Sequence, residues 1–147
     1  MVSYMEKLFE QLKGKQIYIL PGNHDDFEAY HRVEDPRIIL CSDIVQLWIT
    51  KQDCKKKEIW LSHYPMMTWP HRENGAYQLF GHIHLSTEKN EGYDFMRSHS
   101  LQPNQYDVGA DLNHYTPISW KQVWERLQYQ KEHNVNCLHW INYENKN

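Results

Sequence analysis

Three times in this chain a short apolar run stops at a polar cluster that carries histidine. "QIYIL", residues 16–20, runs into Pro21-Gly22-Asn23-His24-Asp25-Asp26. "KEIWLSH", residues 57–63, runs into Tyr64-Pro65, and "AYQLFGHIH", residues 76–84, ends on two histidines two positions apart. Runs of this length bounded by Gly, Pro and Asn read as strands. The first, apolar and continuous, reads as a parallel strand buried on both faces. In an open α/β sheet the carboxyl ends of the strands form the edge where ligands bind. The pattern predicts an α/β fold with Asn23, His24, His63, His82 and His84 at strand ends.

The remaining segments fit around these runs. Met5, Leu8, Phe9 and Leu12 recur at helical spacing behind a Ser3/Glu6 capping box, and Gly14 suits the C′ position, so a helix is expected over 3–13. A short helix is expected over 26–33, and strands over 37–41 and 44–50. "KQDCKKK", residues 51–57, reads as a hairpin turn with solvated lysines, and residues 65–75 as a packed loop. Residues 86–104 read as irregular and 106–112 as a last short strand. Ser119 and Gln122 form a second capping box before Trp120, Val123, Trp124 and Leu127, while the tail after Asn134 shows no period.

With 147 residues the chain fits one domain over 1–147. A formal charge of −3 gives no signal for a nucleic-acid coat or an anionic membrane surface. No run approaches the ~20 apolar residues of a membrane span, and the start carries no basic region followed by an apolar block. Cys41, Cys54 and Cys137 are an odd number at unrelated spacings, which points to a reducing, cytoplasmic setting.

Ten histidines hint at metal. If Gly81 to His84 stays extended, His82 and His84 share a face and Ile83 takes the other. Gly81 would then clear space where the backbone comes close. His63 adds an imidazole from another strand end and Asn23 a neutral amide oxygen. Such ligands suit Mn, Fe, Zn or Ni. His31, His99, His133 and His139 read as surface histidines. Trp69, His71 and Arg72 could stack a base or hold a phosphate, although packing of the loop is the simpler reading.

Together, Gly22-Asn23-His24-Asp25, His63 and Gly81-His82-Ile83-His84 resemble the calcineurin-like metallophosphoesterase superfamily, most closely its small, cap-free bacterial and phage members. "YDVGADLNHYTPIS", residues 106–119, is similar to that family's closing segment. The resemblance implies two β-sheets in a sandwich flanked by helices, an αββα arrangement, with two divalent ions at the strand ends. It implies that Asn23, His63 and His82 bind one ion and His84 the other. It places His24 beside a phosphoester substrate such as a nucleotide, stabilising phosphoryl oxygens or protonating the leaving group. Water activated by the ions would attack phosphorus in line. Asp25 completes the motif with no ligand role, and Asp26 is a helix N-terminal carboxylate.

The family's Asp-x-His and bridging Gly-Asp motifs are absent from these 147 residues. The expected fold therefore lacks the N-terminal strands that carry them. Asn23, His63, His82 and His84 are all neutral, so about one ion is expected rather than two. Three readings follow: a phosphoester hydrolase weak or inactive as this chain, an active enzyme completed by another chain or by Asp25 or Asp111, and a non-catalytic metal- or partner-binding remnant. The exposed edge beside "QIYIL" is expected to favour self-association or a complementing N-terminal segment.

Overall fold

The computed structural model describes residues 4–50, 55–84 and 100–144. The fold is mixed α/β and divides into two compact units, Met1–Val45 and Gln46–Asn147. Ser3, residues 51–54 with Cys54, and residues 85–99 with His99 lie outside the described residues.

The first unit contains α1 (Tyr4–Gln11), β1 (Ile17–Ile19), α2 (Phe27–His31) and β2 (Ile38–Leu40). The two strands pair in parallel, Ile17 opposite Ile38 and Ile19 opposite Leu40. The parallel expectation for "QIYIL" holds, but burial on both faces does not: Tyr18 is 58% exposed. Alternation along β1 turns Tyr18 away from the side that Ile17 and Ile19 share.

Helix α1 is shorter than the spacing suggests, and Gly14 does not terminate it. Arg37 does the capping, donating to the carbonyl oxygens of Phe9 at 2.9 Å and Leu12 at 2.6 Å. Asp35 holds the guanidinium through contacts of 2.6–3.1 Å. A cationic fork suits a helix C-terminus, where carbonyls lack partners and the dipole is negative. Asp26 caps α2 as expected, accepting from the Ala29 backbone N–H at 3.1 Å.

The second unit is built on a four-stranded sheet in the order β3 (Ile44–Thr50), β4 (Lys56–Ser62), β5 (Tyr77–Phe80), β6 (Gln105–Asp107). Strands β4, β5 and β6 run parallel, with Ile59 opposite Tyr77 and Leu79 opposite Tyr106. By strand alternation these four share one face. They build the core with Val123 and Leu127 of α3 (Trp120–His133) and with Leu101, Leu112 and Cys137. Both halves of the Ser119/Gln122 capping box are present.

Three sequence expectations need correcting here. Lys56 and Lys57 belong to β4 rather than to a turn, and the Lys57 ammonium lies 5.2 Å from the Trp124 ring centre. Strand β6 stops at Asp107, and residues 110–115 form turns. The tail contains a helix, α4 (Leu138–Glu144), anchored by the fully buried Cys137 and by Trp140, whose indole N–H donates to Gln130 at 3.0 Å. Seven residues give too little sequence for a helical period to emerge. No helix among the described residues is long and apolar enough to cross a membrane.

Candidate metal centre at the strand ends

Because β4 and β5 are parallel neighbours, their carboxyl ends emerge side by side. His63 follows β4 and His82 follows β5. The Gly81 backbone N–H donates to the His63 carbonyl oxygen at 3.1 Å, pinning the two tips together. Across this pin, His63 Nε2 lies 3.1 Å from His82 Nδ1. The Tyr64 ring sits against both imidazoles, 5.0 Å from His63 and 4.4 Å from His82 between centres.

The "GHIH" tip is not extended. Ile83 N–H donates to the Gly81 carbonyl at 2.8 Å, and His82 between them has φ of 70°. That is a γ-turn of the rare, strained kind. His84 is also left-handed, with φ of 44°. Non-glycine residues held in this region mark strain that the surroundings must sustain. Ile83 supplies the anchor: its side chain is only 8% exposed and joins the core cluster. The tight turn gives the two histidines different neighbours. His84 Nδ1 lies 3.5 Å from Asp111 Oδ2. Among the described residues Gly81 serves no close approach, since a Cβ there would meet none of them within 4 Å.

Gly109 is the glycine with a steric reason. A Cβ on it would lie 2.8 Å from both Asp107 Oδ1 and Asp111 Oδ1. Asp107 Oδ1 also accepts from the Gly109 N–H at 2.8 Å. The turn after β6 thus holds two carboxylates close together, with Asp111 facing His84.

Beneath the His63 tip lies a buried amide clamp. Gln78 donates to Ser62 Oγ at 2.8 Å and to the Tyr64 carbonyl at 3.1 Å. Its oxygen accepts from the Met66 N–H at 3.2 Å and from Gln105 at 2.5 Å. Gln105 also donates to the Met66 carbonyl at 2.8 Å. Gln78 and Gln105 are both fully buried. Four hydrogen bonds fix the Gln78 amide in one orientation, and through it the backbone on either side of His63. Sequence reasoning missed this clamp, although a glutamine inside the apolar run "AYQLF" was the signal.

Asn23 and His24 lie in the first unit and are exposed. Asp25 closes their turn, accepting from the Gly22 N–H at 2.6 Å and the Tyr30 hydroxyl at 2.5 Å. Burial, reinforced by the Asp25 carboxylate, pushes the Tyr30 hydroxyl up to about 12. Trp69 and Arg72 follow the packing alternative, while the His71 side chain is exposed. Trp69 is buried with its indole N–H on the Ala76 carbonyl at 3.1 Å, and Arg72 engages Glu73 and the Met67 carbonyl.

The His63/His82 pair can be tested directly for its fit to a metal. Two nitrogens 3.1 Å apart, each ~2.1 Å from one ion, subtend about 95° at it, close to the right angle between adjacent octahedral ligands. Without metal the same separation suits one N–H···N hydrogen bond between the rings. Among the described residues, no group of three or more His, Cys, Asp and Glu side chains is arranged to hold an ion. No protein-family model, characterised protein or solved structure matches the chain.

Proposed function

We propose that the chain carries the histidine-bearing strand ends of a metal-dependent phosphoester hydrolase of the metallophosphoesterase type, with the β-sandwich that class implies. The observation that carries this reading is the His63–His82 nitrogen pair at the ends of adjacent parallel strands, at a spacing that suits one ion. His63 and His82 would hold that ion tightly, and His84, facing Asp111, would be left for a weakly held second. Asn23 as an oxygen ligand and His24 as proton donor enter this reading from the motif alone. A divalent ion here would polarise a phosphoryl oxygen and make water a better nucleophile. The protein's own part is to hold the imidazoles: the Gln78 clamp fixes the His63 segment and the γ-turn fixes His82.

The neutral ligand set favours a second reading, a metal-binding module without hydrolysis. The experiment is hydrolysis of bis(p-nitrophenyl) phosphate with Mn(II), with and without chelator, for the wild type and His82→Ala. Chelator-sensitive turnover lost in His82→Ala supports the hydrolase. Metal binding without turnover leaves the module, and no binding removes both.

A further inference from the structure

At the other end of β4 from His63 stands a second histidine with a defined chemical setting. His71 Nδ1 lies 2.9 Å from each carboxylate oxygen of Glu58. Glu58 is only 8% exposed, and its Oε1 also accepts from Gln46 at 2.8 Å and from the Trp60 indole N–H at 2.9 Å. A carboxylate only accepts hydrogen bonds, so the proton of the neutral ring sits on Nδ1 and the lone pair on Nε2. The side chain bearing that lone pair is 58% exposed. The backbone of His71 is left-handed, with φ of 56°, and so is that of Gly75, with φ of 91°. The carboxylate therefore orients an outward-facing imidazole from a strained loop position.

From this geometry we infer that Glu58 and His71 form a nucleophilic dyad, separate from the strand-end histidines, whose Nε2 accepts the acyl group of an activated carbonyl compound. The Nε2 lone pair forms a bond to the carbonyl carbon, and the leaving group departs with the electron pair of the bond that breaks. The ring becomes an acyl-imidazolium, whose charge the ionised Glu58 offsets while still accepting the Nδ1 proton. Water then adds at the carbonyl carbon, the C–N electron pair returns to Nε2, and the acid and a proton are released. Orientation by a third group is what distinguishes an activated imidazole from a merely exposed one.

His133 is the internal reference. Its Nδ1 is 2.9 Å from the Tyr129 carbonyl, which fixes the same tautomer without a carboxylate, and it too is exposed. The test is carbethoxylation of the whole chain by diethylpyrocarbonate at about pH 8, above the ordinary imidazole range, with rates at each histidine read by peptide mass spectrometry. His71 should react at least about fivefold faster than His133, and Glu58→Gln should bring it to the His133 rate. Equal or slower reaction at His71 in the wild type overturns the inference, and so does an unchanged rate in a folded Glu58→Gln. The wild-type comparison decides the matter if that variant does not fold. No metal enters the assay, so its outcome is independent of the hydrolase proposal.

Discussion

His63 Nε2 and His82 Nδ1 are 3.1 Å apart because two parallel strands end level with each other and a backbone hydrogen bond ties their tips. Proton and metal compete for this pair, since binding an ion requires both facing nitrogens to offer lone pairs. Replacing either histidine leaves one ligand. His82→Ala should weaken divalent-ion binding by at least about tenfold, measured by calorimetric titration.

The clamp predicts a coupled loss. Gln78→Leu removes the partner of the Met66 N–H and one partner each of Ser62 Oγ and of the Tyr64 carbonyl, which keeps the Ser62 hydroxyl. Buried groups left unsatisfied cost ~1–3 kcal/mol each. Urea unfolding should show a loss of about 3 kcal/mol, and metal affinity should fall because the His63 segment loses its fixed position.

Gly109→Ala forces a methyl to within 2.8 Å of two carboxylate oxygens. Asp107 is buried and hydrogen-bonded to the Gly109 backbone, so Asp111 has more room to swing away. The expected result is a loss of ~1–3 kcal/mol in stability, with the His84–Asp111 contact broken. Proton NMR of the His84 ring, followed through titration, should show the altered surroundings.

Stability should fall at both ends of the pH scale, for different groups. Burial works to raise the Glu58 carboxyl, but hydrogen bonds from His71, Gln46 and Trp60 outweigh it and hold the group below the ordinary carboxylate range. A depressed folded value contributes stability above the unfolded value, lost as pH falls through the folded one. Glu58→Gln should therefore flatten the acid limb of a melting-temperature profile. Burial pushes the Cys137 thiol up to about 12. That raised value makes its contribution complete below the unfolded thiol range and lost as pH rises towards the folded one. Cys137→Ala should flatten the alkaline limb.

Strands β4 and β5, helix α3 and its capping box were legible because continuous apolar runs and the Ser119/Gln122 spacing report local physics. Gly81-His82-Ile83-His84 misled because its polar–apolar alternation is what an extended strand would show. The buried Ile83 and the hydrogen bond back to Gly81 instead hold it in a γ-turn. No residue type in that stretch announces a positive φ at histidine. Arg37 at the end of α1 and Asp111 beside His84 were illegible as partners for another reason. Their roles join residues 25 or more positions apart, and sequence spacing is silent about such contacts. That His63 and His82 lie just past strands was legible, while the buried glutamines beneath the His63 segment were not.

The most direct measurement is divalent-ion stoichiometry after dialysis against Mn(II), compared across the wild type, His63→Ala, His82→Ala and, as control, His133→Ala. The strand-end centre predicts about one tightly held ion in the wild type and in His133→Ala, and none in His63→Ala or His82→Ala. A wild type that holds no ion, or His63→Ala and His82→Ala variants that both retain it, would contradict the account.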